Sequence, residues 1–156
     1  MLEEGTQAPD FKLPADDGET FHLGALKGQP VVLFFYPKDD TAGCTKEAVA
    51  FSELHDEFKA AGVTVAGLSP DSIASHIKFK KKHELNVTLI SDEEKGVLEN
   101  YGVWVEKSMY GRKYMGVERT TLLIDAAGSI ARIWRKVKVP GHAEAVLKAV
   151  KELQKA

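Results

Sequence analysis

The sequence predicts an α/β fold, a central mixed β-sheet flanked by helices with a β-hairpin extension at its N-terminus. Two observations carry most of that expectation. The apolar, β-branched runs at 31–36 and 63–68 are separated by a stretch of helical period, the order of a βαβ unit. Later, a strand pattern at 119–125 turns through Ala126-Ala127-Gly128 into a second one at 129–137, ahead of a closing amphipathic helix.

Element by element, residues 1–29 are broken by Pro9, Pro14, Gly18, Gly24 and Gly28 into short extended pieces around 10–13 and 19–22. Asp16-Asp17-Gly18 between them reads as a hairpin turn, because glycine supplies the positive φ such a turn requires. Residues 31–36, Val-Val-Leu-Phe-Phe-Tyr, read as a strand buried on both faces, ended by Pro37. From 42 to 60 the pattern is helical: Ala48, Phe51, His55 and Phe58 share a face, Glu47, Glu53, Asp56 and Lys59 fall mostly elsewhere, and Gly62 closes the helix. A second central strand spans 63–68. Ser69-Pro70-Asp71 supplies an N-cap and a first-turn proline for a helix to about His83. A third strand covers 87–90, and Ser91-Asp92-Glu93-Glu94 reads as a capping box starting a short helix that ends near Tyr101-Gly102. Residues 103–118 read as irregular, an aromatic and basic stretch framed by Gly111 and Gly116. After the hairpin, Pro140-Gly141 precedes a helix with Ala143, Val146, Leu147, Val150 and Leu153 on one face. A βαβ half joined to a ββα half is the thioredoxin-like plan, and with no repeat, linker or low-complexity tract, residues 1–156 are expected to form one domain.

Bulk properties narrow the function. The 156 residues are 44% apolar and 28% charged with net charge −2, a balance that announces neither a nucleic-acid partner nor a membrane surface. The basic run Lys78, Lys80, Lys81, Lys82 reads as a solvated helix face. No apolar run approaches the ~18 residues of a membrane span, and the acidic start, Met1 to Gly5, lacks the pattern of a signal peptide. A cytoplasmic location is expected. The histidines His22, His55, His76, His83 and His142 form no ligand pair on a helix face, so neither a metal nor another cofactor is expected.

Cys44 is the single cysteine, so no internal disulfide and no Cys-x-x-Cys pair is possible. If Thr41 is the N-cap, Cys44 falls in the first turn of a helix, where free N–H groups and the dipole favour thiolate; helix N-termini lower a cysteine pKa from ~8.5 toward ~3.5–7.5. Against that stands the plain reading of a lone cysteine as a small buried hydrophobe.

Pro37-x-x-x-Thr41-x-x-Cys44, followed by Thr45-Lys46-Glu47, resembles the active-site signature of the peroxiredoxins. Tyr36 to Thr41 with Gly43-Cys44-Thr45 is similar to the bacterioferritin-comigratory, or Q-type, subfamily. So are Gly5 to Leu13 at the start and Trp104, Glu106 to Gly111, Arg119-Thr120-Thr121 and Ile124-Asp125 later. The resemblance implies a thiol peroxidase reducing hydrogen peroxide and organic hydroperoxides. Cys44 is then the nucleophile, and Thr41 bonds the sulfur and the peroxide. Arg119 brings a fixed charge beside the sulfur, and Pro37 limits water. Gly43 and Cys44 offer backbone N–H groups, and Glu47 orients Arg119. On the residues alone, Thr41 is equally a helix cap, Pro37 a strand stop, Arg119 a solvated strand-end charge and Glu47 a first-turn acid.

The chain departs from the subfamily where a resolving cysteine often stands: Val49 lies five residues after Cys44, and residues 71–83 contain no Cys. Ala42 replaces a frequent proline. The expectation is therefore a one-cysteine peroxidase, a monomer, whose sulfenic acid is reduced by an external thiol: thioredoxin, glutaredoxin or a low-molecular-weight thiol. Its rivals are a thiol–disulfide exchange protein, disfavoured by the absent Cys-x-x-Cys, and a thioredoxin-like binding or chaperone domain with an inert cysteine.

Overall fold

The computed structural model describes residues 2–155. Their centre is a five-stranded sheet in the order β5-β4-β3-β8-β9. β3 (Val31–Phe35) is its middle strand, parallel to β4 (Thr64–Ser69) and antiparallel to β8 (Thr120–Ile124). β5 (Thr88–Ser91) extends the parallel side and β9 (Ile130–Trp134) the antiparallel side. The sheet is therefore mixed and the fold thioredoxin-like, with β1 (Lys12–Pro14) and β2 (Thr20–His22) forming the N-terminal hairpin.

Alternation along β3 divides the core between the two faces. Val32, Phe34 and Tyr36 point into one cluster, completed by Ala48, Phe51, Phe58, Phe79, Val146 and Val150. These come from α1 (Ala42–Glu53), α2 (His55–Ala60), α3 (Ile73–His83) and α5 (His142–Lys155). Val31, Leu33 and Phe35 point into the other, with Phe11, Phe21, Leu98 and Tyr101, the face covered by the N-terminal hairpin and α4 (Gly96–Asn100). A strand with every residue buried needs apolar side chains on both faces, which explains its unbroken apolar run. Gly67 on β4 leaves space for this packing, because a β-carbon there would stand 2.6 Å from the Phe34 ring.

Four local expectations are corrected. The helix read over 42–60 bends at Leu54 (φ −95°, ψ 4°), giving two helices that keep Phe51 and Phe58 in one core, their rings 6.0 Å apart, while His55 is only half-buried. α3 is capped by Ser72, whose hydroxyl accepts from the Ser75 N–H; Ser69 completes β4 and donates to Asp71. Ser91 likewise ends β5, and the Asp92 side chain accepts from the Leu98 N–H in place of a capping box. Residues 103–118 contain a hairpin, β6 (Trp104–Met109) and β7 (Arg112–Val117), whose two turn residues Tyr110 (φ 52°) and Gly111 (φ 78°) are both left-handed. Such a turn usually announces itself as Asn-Gly or Asp-Gly, and Tyr-Gly hides it.

Candidate active site

Past β3, Pro37 is half-buried and the chain runs through 38–41 into α1. Thr41 is the N-cap residue, extended at φ −92°, ψ 156°. Cys44 lies in the first turn, where N–H groups lack intrahelical partners and the helix dipole favours an anion. It is 2% exposed, while Thr41 and Ala42 beside it are exposed and Gly43 is half-buried. Cys44 lines none of three surface clefts found among the described residues.

The sheet register brings Arg119 here from 75 residues away. Phe35 at the end of β3 pairs with Thr120 at the start of β8, so the residue before β8 stands beside the start of α1. The Arg119 Nη2 lies 3.4 Å from the Cys44 sulfur, and its Nη1 donates to Glu47 Oε1 at 2.8 Å. A planar guanidinium with its donors in a fixed fork serves two acceptors at once. Burial opposes the arginine's charge, but Glu47 and Cys44 outweigh it and hold its pKa above the ordinary value.

Glu47 is an unusual anchor. One turn along α1 it points inward, 1% exposed, and its second oxygen has no hydrogen-bond partner among the described residues. Burial raises its pKa to about 7, with Arg119 opposing the rise. Behind Arg119, His142 is 7% exposed, shares a 2.8 Å hydrogen bond with Thr121 and meets Phe51 and Trp134 edge-on. Burial first, and then the Arg119 charge, lower its pKa to about 4, so it is neutral near pH 7. On β6, half-buried Lys107 feels both Arg119 and Cys44, and burial and the arginine lower its pKa.

Of the residues named from the sequence, Arg119 meets both Cys44 and Glu47 directly. Gly43 lies under the guanidinium, with space for a β-carbon only 3.1 Å from Nη2. Thr41 occupies the expected N-cap position, but its hydroxyl donates to the Lys38 carbonyl at 2.8 Å and makes no cap bond, and the Arg119 Nη2 donates to the sulfur. Pro37 sits half-buried at the head of the loop, without an N–H to donate. The sequence reading missed Asp39, His76, Lys107 and His142, because nothing local marks a polar side chain that tertiary packing will bury.

The chain matches the family model described as AhpC/TSA over residues 5–133. It is 45% identical to the peroxiredoxin Bcp of Bacillus subtilis, over 97% of each chain. Among solved structures, the bacterioferritin comigratory protein of Xanthomonas campestris, studied for alkyl peroxide reduction, superposes with a TM-score of 0.90 at 39% identity, over 96% of this chain and 98% of that one. PrxQ of Xylella fastidiosa superposes with a TM-score of 0.93 at 35% identity, over 99% and 98%.

Proposed function

The chain belongs to the AhpC/TSA family, and from that premise we propose how its residues carry out the thiol-dependent peroxidase activity of a peroxiredoxin. The Cys44 thiolate attacks the nearer oxygen of the peroxide. A sulfur–oxygen bond forms as the O–O bond breaks, leaving Cys44 as sulfenic acid and expelling hydroxide or alkoxide, which takes a proton to become water or alcohol. Sulfur supplies the electron pair and is oxidised; the peroxide is reduced. An external thiol then condenses with the sulfenic acid, releasing water, and a second thiol displaces Cys44 from the mixed disulfide.

The observation that most supports this reading is the Arg119 Nη2 at 3.4 Å from the sulfur. A fixed cation there favours thiolate and steadies the charge leaving on oxygen, without reorganising during the reaction. Gly43 and Cys44 N–H groups add donors, Glu47 orients the guanidinium, and Pro37 shields the thiolate. For Thr41 we assign a lesser role than direct donation, since its proton is engaged by Lys38; an oxygen lone pair remains free to accept from the hydroperoxide O–H.

With one cysteine in the chain, the reductant comes from outside: thioredoxin, glutaredoxin or a small thiol. We further infer a cytoplasmic monomer acting as one domain. No helix of the described residues is long and apolar enough to cross a membrane. Peroxide consumption by the wild type beside Cys44→Ser, with sulfenic acid trapped and located by mass, tests the assignment. Activity surviving the serine substitution would end it.

A further inference from the structure

The loop that delivers Cys44 is tied to the neighbouring helix by a buried polar network. Asp39, in the middle of this loop, donates its N–H to Asp71 Oδ2 at 2.8 Å. Its Oδ1 accepts from the Tyr36 hydroxyl at 2.6 Å, and its Oδ2 from the Ser75 hydroxyl at 2.8 Å. The same Oδ2 lies 2.7 Å from Nδ1 of His76, which is 0% exposed on α3. The other ring nitrogen, Nε2, lies 2.9 Å from the Ile90 carbonyl on β5. A carbonyl only accepts, and so does an ionised carboxylate. A ring with acceptors at both nitrogens is placed to donate from both, which it does as an imidazolium.

Asp39, Asp71 and His76 also bring ligand atoms within 4.8 Å of one another, but each is already engaged by protein donors or acceptors. Their arrangement is that of a clamp. Asp40, next in the loop, adopts a left-handed φ of 60°, a conformation costly for a residue with a side chain. Its carboxylate is held by Lys82 at 2.7 Å and His83 at 2.8 Å, again from α3. Thr41, the N-cap, follows at once.

We propose that His76, as an imidazolium held between Asp39 and the Ile90 carbonyl, is a positioning residue that sets the start of α1, and through it the geometry of Cys44 under Arg119, without touching either. Burial lowers the His76 pKa, but the Asp39 hydrogen bond and charge, the Ile90 carbonyl and the charge of Asp71 together outweigh it and raise it. The groups facing the ring are Tyr36 just past β3, Asp39 from the loop, Asp71 before α3 and the Ile90 carbonyl from β5. A half-satisfied buried network is worse than none, so losing the ring's charge should release the loop.

This inference takes the peroxidase reading as given, and its readouts separate the two. In the full chain, His76→Gln is expected to slow hydrogen peroxide consumption roughly 10- to 100-fold, the cost of a displacement near 1 Å at a reacting atom. It should also raise the pH of half-maximal Cys44 alkylation by iodoacetamide. Adding Asp39→Asn, which pairs two neutral amides, should recover part of both. Ile130→Val, trimming the opposite core, should lower Tm and move neither. An unchanged rate constant and alkylation profile in His76→Gln would overturn the proposal. So would nitrogen NMR of the wild type showing a neutral His76 ring at pH 7, a result that needs no variant to fold. A wild type that consumed no peroxide, with the alkylation shift intact, would sink the peroxidase reading and leave the positioning role standing.

Discussion

Gly43 lies directly beneath the Arg119 guanidinium, so close that a β-carbon on the glycine would stand 3.1 Å from Nη2. Glu47 anchors the far side of the same group at 2.8 Å, which limits how far it can retreat. Gly43→Ala should therefore have opposite effects on stability and rate. Alanine in a helical turn adds ~0.5–1 kcal/mol where its methyl is unopposed, and here the contact with Nη2 is expected to leave only part of that gain. The displaced guanidinium should cost roughly tenfold in the peroxide rate constant. Thermal melts and stopped-flow consumption of peroxide read the two; a faster or unchanged rate would show that the arginine yields freely.

Arg119→Lys keeps the charge and loses the fork. A single ammonium cannot hold both the sulfur and Glu47 in the observed geometry. The expected loss is on the order of 100-fold in the rate constant, the scale of removing one preorganised donor. Peroxide titration at fixed pH measures it, and a loss below threefold would refute the positional argument.

Glu47 gives a pH dependence of unusual sign. Its folded-state pKa of about 7 exceeds the ordinary 4.5 because the carboxyl is buried. Between those values the folded chain keeps a proton that the unfolded chain has released. Stability from this group is thus full below the ordinary value and is lost as pH rises toward neutrality, by about 3 kcal/mol. Glu47→Gln should flatten that decline in urea melts taken from pH 4.5 to 8. It should also slow peroxide turnover above about pH 7, where Glu47 is ionised and Arg119 would lose its charged partner.

His142 works in the opposite direction. Burial and Arg119 depress its pKa to about 4 from 6.5, so below the ordinary value the unfolded chain binds a proton the folded chain refuses. Its contribution is full above pH 6.5 and is lost as pH falls through the window. His142→Gln, with a neutral amide facing Thr121, should remove this part of the acid lability, read from the same melts. An unaltered acid limb would assign the lability to other groups.

Local pattern was enough for the strands and helices whose faces differ. The unbroken run in β3 and the α5 stripe of Ala143, Val146, Leu147 and Val150 are buried as their spacing implies. Element ends were harder to read, because serines at 69 and 91 have cap chemistry yet finish strands; the hydrogen-bond ladder outcompetes a side-chain cap. The β6–β7 hairpin was lost because its turn residue Tyr110, 98% exposed, carries no turn signature.

By itself the sequence determined the order of the central-sheet strands and of the main helices, the single thiol at a helix start and the family likeness carried by residues 36–45. These depend on neighbours along the chain, whose periodicity and capping chemistry act over a few residues. The resemblance anticipated Arg119 beside the sulfur, but only the tertiary structure supplied the contact itself, buried Glu47 with one oxygen unpartnered among the described residues, and brought Asp39 to His76. Those contacts depend on which strand pairs with which and in what register, and on how much water the packed core excludes. No single segment contains that information.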